Sequence, residues 1–437
     1  MRKFKAAILS VFTAAILLTN PLPVLAEPGA LVTEAELNLV LSDPNTAVLD
    51  VSPAEVYAAG HIPGAINLQR SDLANPWDPV PSELLTVSQM ERLFSRLGIQ
   101  NGAALYIYSQ TAYDATRLWW TLTHYGIGPV HVLNGNLQTW KDLGYAISQE
   151  IPNLVPSDFN LDPLKFQTRI NTSTSQLRSS LSGNIQLVDT RNAAEFSGQI
   201  LTAPAARRGR IPGAVNIDWR EHLDKAGRFK SVDELRALYL QKGIREEIPI
   251  IVYCHSGFQS SLNYFVLTQI LGYGNVSNYD PSWVAWSRDL SLPIECDYSR
   301  FTIGSVLYDL RSEESTLDAA PYIREGRTYL PLRPIALAMG IRERDILWDG
   351  GNRTVTLTKG DQTVQLALGQ KMLRINGVER AMDTSPEILE PGRIMLPARA
   401  LVEAFGGHIL WDPVLRQALV FSHDDLSTAS QDCGCAS

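Results

Sequence analysis

The sequence predicts two consecutive α/β domains, each built on a doubly wound parallel sheet, followed by a smaller α+β module. An internal repeat is the first observation: residues 48–67 resemble 188–216, and residues 106–109 and 134–140 resemble 251–254 and 279–286. The second is that short apolar runs alternate with amphipathic stretches through both halves, as in βαβ units. The third is that a shorter repeat replaces this pattern after Cys296.

Residues 1–26 are typical of a secretory signal. Arg2, Lys3 and Lys5 precede a mostly apolar run at 6–18, and residues 24–26 form a small-residue cleavage site. We therefore expect a mature protein that starts near Glu27 and is secreted or held outside the cytoplasm. An uncleaved anchor helix is the alternative, although the apolar run is short for a membrane span.

Two domains follow, at 32–150 and 165–296, joined by a Pro- and Asn-rich linker at 150–163. The apolar runs predict strands at 47–51, 104–108 and 130–133, and then at 186–189, 248–253 and 276–279. Amphipathic spacing predicts helices at 88–97, 113–124, 232–242 and 259–271.

The third unit spans residues 301–423. Residues 329–333 return at 395–399, and 347–349 return at 410–412. Strands at 354–358 and 363–368 alternate around a turn at 359–361, and short helices are expected at 334–339 and 400–405. Residues 424–437 are small and polar, which predicts a flexible tail.

Composition limits the possible partners. The chain has 437 residues, of which 45% are hydrophobic and 19% charged, as in ordinary globular proteins. The net charge is −8, and the only basic run is the short one at 207–210, so no nucleic-acid partner is expected.

Cys254 is the residue with the strongest chemical signal. It ends an apolar strand, and a short loop with Gly257 separates it from the start of a helix. Loop amides and the positive end of the helix dipole would stabilise a thiolate or a charged persulfide there. A buried, inert cysteine is the plainer interpretation of a lone thiol.

These motifs together resemble the two-domain rhodanese and mercaptopyruvate sulfurtransferases over residues 32–295. The resemblance rests on residues 61–65, 189–191, 211–214, 254–257 and 279–295. It implies tandem rhodanese domains in which the second domain carries the nucleophile, since Ser109 stands where Cys254 stands in the repeat. It also implies an active site between the halves.

The resemblance assigns roles to individual residues. Cys254 would carry sulfur as a persulfide, and Arg191 would bind the anionic donor. Ser256, Asp50 and His61 match the proton-relay set of the mercaptopyruvate branch. Other donor-binding contacts are expected from the remaining loop residues, which are His255, Gly257, Phe258 and Gln259. A second-domain arginine, Arg210 or one of its neighbours Arg207 and Arg208, is expected to add another.

The expected reaction moves sulfur from a small anionic donor to cyanide or a thiol, without a cofactor. Thiosulfate-type loops have Arg and Lys after the cysteine and mercaptopyruvate-type loops have Gly, whereas this loop has His255 and Ser256. Thiosulfate or a polysulfide is favoured, because mercaptopyruvate is hard to supply outside the cytoplasm. A catalytically weak sulfur-binding or scaffold protein is the alternative. A Cys-x5-Arg phosphatase loop is excluded, because Ser260 occupies the arginine position.

The C-terminal unit resembles the copper amine oxidase N-terminal-like domain. Only His408 and His423 are available in it, so we expect no metal site. Envelope attachment or partner binding is the expected role, and a passive appendage is the alternative. In the tail, Cys433 and Cys435 could accept sulfur, form a disulfide, bind a soft metal or have no role.

Overall fold

The first sheet explains why the sequence alternates strands and helices. The computed structural model describes residues 29–74 and 84–422. The sheet is parallel, in the order β1-β5-β4-β2-β3. Its strands are β1 (Leu31–Val32), β2 (Thr46–Asp50), β3 (Ile66–Asn67), β4 (Ala104–Tyr108) and β5 (Val130–Leu133), and its helices are α1 (Glu34–Val40), α2 (Ala54–Ala59), α3 (Val87–Arg96), α4 (Ala112–His124) and α5 (Leu137–Asp142).

Side chains on both faces of this sheet are buried. Val48 and Tyr106 point into one apolar cluster, whereas their neighbours Leu49 and Ile107 point into another. Successive residues of a strand face opposite sides, so helices must cover both faces. The predicted doubly wound α/β class is confirmed.

The second sheet is parallel in the order β7-β6-β8-β9. Its strands are β6 (Gln186–Asp189), β7 (Ala214–Asn216), β8 (Ile250–Tyr253) and β9 (Val276–Asn278), and its helices are α6 (Thr174–Ser180), α7 (Ala193–Ser197), α8 (Val232–Gln241), α9 (Phe258–Phe265) and α10 (Ser282–Arg288). The helix predicted at 259–271 is α9 followed by a π-helical turn, Val266–Ile270.

Equivalent helices of the two domains begin in the same way. Thr33 and Ser173 cap α1 and α6, and Thr86 and Ser231 cap α3 and α8. In each case the side chain of the capping residue accepts a hydrogen bond from the backbone N–H of the third helical residue. The side chain of that third residue accepts one from the backbone N–H of the capping residue, and this pair of bonds fixes the first turn. The repeat thus extends to the capping chemistry.

The two domains pack through α4 and α9. Both contribute to one apolar cluster, in which Trp119 meets the Phe265 ring edge-on at 4.8 Å. Thr116 and Ser261 hydrogen-bond across the contact at 3.2 Å. This packing brings the amino end of α9 against the first domain.

The C-terminal module consists of three antiparallel sheets and two helices. The predicted hairpin is confirmed, with Lys359 paired to Gln362 across the turn. The elements are β10 (Tyr298–Thr302), β11 (Leu307–Leu310), β12 (Glu313–Thr316), β13 (Tyr322–Arg324), β14 (Arg327–Pro331), α11 (Leu332–Ala338), β15 (Ile346–Asp349), β16 (Thr354–Lys359), β17 (Gln362–Ala367), β18 (Met372–Ile375), β19 (Val378–Ala381), β20 (Glu387–Leu389), β21 (Arg393–Pro397), α12 (Ala398–Ala404), β22 (His408–Asp412) and β23 (Gln417–Phe421).

Within residues 29–74 and 84–422, no helix combines the length and apolar character that a membrane span requires. The same residues contain no group of three or more His, Cys, Asp or Glu side chains placed to hold a metal. The signal assigned to 1–26 and the tail at 424–437 lie outside the described residues.

Candidate active site

Cys254 follows the last residue of β8 and is buried. Its Sγ accepts the Gly257 backbone N–H at 3.1 Å and faces the Ser260 hydroxyl at 3.5 Å. Both donors belong to the start of α9, whose dipole favours negative charge at this end. The sulfur therefore sits where a thiolate or persulfide anion would be stabilised.

The backbone behind the sulfur is held by the start of α10. Trp283 donates its N–H to the Cys254 carbonyl at 3.0 Å, and Val284 donates to the His255 carbonyl at 3.0 Å. Ser282 accepts the Cys254 N–H on its Oγ at 3.2 Å while its own φ is +52°. A non-glycine residue in this region is strained, which is a recurrent feature of functional loops.

Gly257 is required by the loop geometry. Its φ is +83°, and a Cβ there would lie 2.2 Å from Asp280 Oδ1. Asp280 forms a buried ion pair with Arg117 of α4, and Arg117 also points to the Gly257 carbonyl at 3.4 Å. The first domain thus supports the cysteine loop through a buried charge.

Side chains of the first domain also lie beside the start of α9. The Arg70 guanidinium lies 3.8 Å from the Phe258 ring centroid and 5.7 Å from that of Tyr113. Its side chain is half exposed, and Asp114 lies 3.9 Å away. Burial raises the pKa of Tyr113, and the nearby Cys254 sulfur also contributes to the rise. A phenol of the first domain therefore lies near the thiol, and a cation of the same domain lies against the first residue of α9.

The other loop residues differ in how they are held. His255 places Nε2 3.2 Å from the Ala203 carbonyl and Nδ1 3.7 Å from Glu195, and burial lowers the pKa of its imidazole. Gln259 is half-buried and its Oε1 has no partner in the described part of the chain. Ser256 is half-buried at the rim, with no hydrogen bond from its hydroxyl to any described residue.

Arg191, expected to bind the donor, is almost fully buried and paired with a carboxylate. Its Nε and Nη2 bind both oxygens of Asp189, two residues earlier, and Nη2 donates to the Gly209 carbonyl at 2.8 Å. Its guanidinium also lies 4.9 Å from the Trp283 ring centroid. Arg191 therefore links the end of β6 to Gly209 and to Trp283, and so stabilises the structure next to the cysteine loop.

Arg210, the second expected donor contact, serves the junction with the C-terminal module. Its Nη2 binds Glu295 and, at 2.8 Å, Asp297, and little of the side chain is exposed. A guanidinium satisfied by two carboxylates is not available to an anion. The donor-binding role of Arg210 is not supported.

The proton relay expected from Asp50, His61 and Ser256 is not assembled. Asp50 accepts the Ser52 N–H at 2.9 Å beside the carboxyl end of β2. His61 is buried, with its ring nitrogens 3.0 and 3.1 Å from the carbonyls of Tyr57 and Glu150. Both residues stabilise the first domain, as their repeat equivalents Asp189 and Arg210 stabilise the second.

Three residues at the site lie outside the motifs that predicted it. The arginine at 117 could have been suspected, because a charge inside the apolar run of α4 must find a buried partner. Arg70 and Tyr113 have no such signal, since both lie in the first domain, far from Cys254 in sequence. Only the packing of the two domains brings them to the thiol.

Comparison with known proteins bears directly on this geometry. The rhodanese-like domain profile matches residues 33–143 and 173–289, more than half of the chain. The chain belongs to the rhodanese-like family. Residues 310–420 match the copper amine oxidase N-terminal domain.

Three curated rhodanese-like relatives cover nearly the same part of the chain. The sulfur carrier protein TtuD of Thermus thermophilus is 34% identical over 281 residues, 62% of this chain and 97% of that protein. A putative thiosulfate sulfurtransferase of Haloferax volcanii is 34% identical over 260 residues (58% and 90%). The 3-mercaptopyruvate sulfurtransferase of Escherichia coli is 30% identical over 269 residues (58% and 94%).

Two solved structures share the fold of this part of the chain. The crystal structure of SseA from Escherichia coli, described with the catalytic mechanism of 3-mercaptopyruvate sulfurtransferases, is 28% identical with a TM-score of 0.53, over 59% of this chain and 99% of that one. The anaerobic ergothioneine biosynthesis enzyme of Chlorobium limicola is 23% identical with a TM-score of 0.55, over 61% and 70%, and shares the fold.

Proposed function

We propose that this chain is an exported sulfurtransferase that carries sulfane sulfur as a persulfide on Cys254. The observation that carries the proposal is the position of its Sγ at the amino end of α9, opposite the Gly257 N–H and the Ser260 hydroxyl. The names of the relatives as thiosulfate or 3-mercaptopyruvate sulfurtransferases support the reaction class.

With thiosulfate as donor, the Cys254 thiolate attacks the outer sulfur. A new S–S bond forms, the S–S bond of thiosulfate breaks, and sulfite leaves with the electron pair. Cyanide or a thiolate then attacks the outer sulfur of the persulfide and returns the Cys254 thiolate. No electrons are gained or lost overall, so the cycle needs no redox cofactor.

Arg70 is the cation best placed to receive the donor. It is half exposed beside Tyr113 and Phe258, whereas Arg191 and Arg210 are each bound closely by carboxylates. Thiosulfate is a dianion that a cation can bind. 3-Mercaptopyruvate also has a carboxylate and a ketone, which need hydrogen-bond donors of their own. We therefore propose thiosulfate or a polysulfide, rather than 3-mercaptopyruvate, as the donor.

The deciding experiment measures thiocyanate formation from cyanide, with thiosulfate and 3-mercaptopyruvate run in parallel. Cys254→Ser should abolish turnover. Cys296→Ser is the matched control, because Cys296 is equally buried but lies at the module junction, and it should retain turnover. Turnover that survives in Cys254→Ser, or is absent from the reduced wild-type protein, contradicts the proposal.

Donor recognition is tested with Arg70→Gln. Losing one charge-assisted contact should raise KM for thiosulfate about tenfold, with a smaller change in kcat. Arg220→Gln, which removes an exposed arginine paired to its neighbour Asp218, should leave KM unchanged. An unaltered KM in Arg70→Gln would place donor binding elsewhere.

A second candidate is a sulfur carrier that passes its persulfide to a partner protein, with little turnover of small acceptors. The relative named as a sulfur carrier favours it, as does the burial of Cys254. Mass spectrometry would then detect a stable persulfide on Cys254 after donor treatment, with slow loss to cyanide. Rapid loss to cyanide would favour the enzyme. If no persulfide formed on Cys254 after donor treatment, the remaining interpretation would be a scaffold protein.

Export is proposed from residues 1–26. The basic residues, the apolar run and the small-residue site together predict cleavage before Glu27. Fractionation of the producing cells and N-terminal sequencing of the product provide the test. A cytoplasmic protein that retains residues 1–26 would contradict export without affecting the sulfur chemistry.

A further inference from the structure

The C-terminal module is built from two copies related by an approximate two-fold axis. β14 pairs antiparallel with β21, and Leu330 lies directly opposite Leu396. These two leucines are also equivalents in the internal repeat, in which 329–333 corresponds to 395–399. The axis therefore passes through this pair, and any feature of one copy has a counterpart on the other side.

Two cavities obey this symmetry. One, of about 590 Å³, is lined by Arg327, Asp383, Arg399 and Trp411, and we call it the Trp411 groove. The other, of about 500 Å³, is lined by Arg393, Asp318, Arg333 and Trp348, and we call it the Trp348 groove. In both, one arginine comes from the opposite copy, so the grooves exist only in the paired module.

The tryptophans stand out because the fold leaves them exposed. Trp348 is 48% exposed and Trp411 41%, whereas Trp120 and Trp283 in the rhodanese-like domains are fully buried. Exposing a large aromatic ring forgoes its burial energy. That both copies retain it at the same place, on the edge strands β15 and β22, points to a role outside the core.

Each groove also presents both hydrogen-bond donors and acceptors. Arg327 binds Asp383 at 2.9 Å, and its counterpart Arg393 binds Asp318 at 2.6 Å. Arg399 makes no ion pair with any described residue, and Arg333 approaches only Glu343, at 3.8 Å. The Trp411 groove also contains the ion pair of Arg380 with Glu403, at 3.1 Å. Each groove thus combines at least one neutralised pair with one arginine whose charge is poorly compensated.

We propose that these are two equivalent carbohydrate-binding grooves for an acidic polysaccharide. A sugar ring offers a flat C–H face to an indole and a rim of hydroxyls that need donors and acceptors together. The Arg–Asp pair beside each tryptophan meets the second requirement. The poorly compensated Arg399 and Arg333 account for the preference for carboxylates.

Two binding sites on one module make attachment to a polymer stronger than either site alone. Once one groove holds a strand, the second binds from a high local concentration. This property suits a module that retains the sulfurtransferase on an acidic polysaccharide, and it does not depend on the sulfur chemistry.

The test titrates the full chain with tetragalacturonate, and with neutral maltotetraose, by calorimetry and tryptophan fluorescence. We expect two sites per chain for tetragalacturonate and at least tenfold weaker binding of maltotetraose. Trp348→Ala or Trp411→Ala should each leave one site, and the double variant none. Leu415→Ala, an exposed apolar residue outside both grooves, is the matched control and should retain two sites.

Arg399→Gln should weaken only the Trp411 groove, giving one strong and one weak site. Unchanged thermal unfolding would show that each variant is folded, because the replaced side chains are exposed. Failure to bind tetragalacturonate, equal binding of maltotetraose, or two sites in the double variant would overturn the proposal. Binding of hexaglutamate at the same two sites would also overturn it, in favour of an acidic peptide.

Discussion

Replacing Arg117 by methionine would remove one half of the buried ion pair that joins the two rhodanese-like domains beneath the cysteine loop. The Arg117 guanidinium is fully buried and Asp280 nearly so, and Nη2 lies 3.4 Å from Oδ2 in addition to the closer Nη1–Oδ1 contact. The substitution leaves the carboxylate of Asp280 buried without its counter-charge. We expect a loss of about 3–5 kcal/mol of unfolding free energy.

The reverse change, Asp280→Leu, should cost a similar amount, because it leaves the Arg117 guanidinium buried without its counter-charge. The double variant Arg117→Met/Asp280→Leu removes both charges, and we expect it to lie within about 1 kcal/mol of the wild type. The two single costs should therefore exceed the double cost by several kcal/mol, which measures the coupling of the pair. Because Arg117 also supports the Gly257 carbonyl, kcat should fall in the single variants.

Urea unfolding followed by tryptophan fluorescence measures these free energies, and the thiocyanate assay measures kcat. The exposed pair Arg220–Asp218 is the matched control, because exposed pairs contribute only about 0–1 kcal/mol. Single variants of the buried pair that lose less than about 1 kcal/mol, or losses that simply add in the double variant, would refute the reasoning.

The remaining predictions concern the loop and two buried titrating groups. Gly257→Ala should cost at least about 2 kcal/mol in urea and slow alkylation of the nucleophile, because the new Cβ meets Asp280 at a φ of +83°; a normal alkylation rate would contradict this. Ser260→Ala should slow persulfide formation about tenfold in single-turnover experiments with an unchanged melting temperature, and an unchanged rate would show that its hydroxyl does not act on the sulfur. Burial lowers the pKa of His222 from 6.5 to about 4, so the unfolded chain binds the extra proton first and about 3 kcal/mol of stability is lost as pH falls from 6.5 to 4; His222→Asn should flatten this slope in urea titrations. Burial raises the pKa of Asp114 from 3.8 to about 6, so stability present below pH 4 is lost as pH rises through 6; Asp114→Asn should be the more stable protein at pH 8 but not at pH 4, and a difference independent of pH would refute this assignment.

Periodicity predicted the central strands because their positions are set by local pattern. The runs at 104–108 and 186–189 are observed as β4 and β6 with the same limits. By contrast, β1 and β3 are only two residues long, which is too short for an alternating pattern of apolar and polar residues to be recognised. The loop after Cys254 was also predictable, because a strand, a glycine and a helix start follow one another within a few residues.

The roles of individual charges were less predictable. A sequence shows that Arg191 and Arg210 are present, but it does not show which carboxylate will form an ion pair with each guanidinium. In the structure Arg191 pairs with Asp189. Arg210 pairs with Glu295 and Asp297. Both outcomes depend on distances that exist only after the chain folds.

By itself the sequence determined the α/β class, the two repeats and the position of Cys254 between a strand and a helix, because each is carried by residues that are near one another in the chain. Only the tertiary structure decided which first-domain groups lie at the cysteine loop, namely Arg70, Tyr113 and Arg117, the last paired with Asp280 of the second domain. The physical reason is that domain packing and charge pairing join residues far apart in sequence, and the strength of such contacts is set by distance and burial, which no local pattern records.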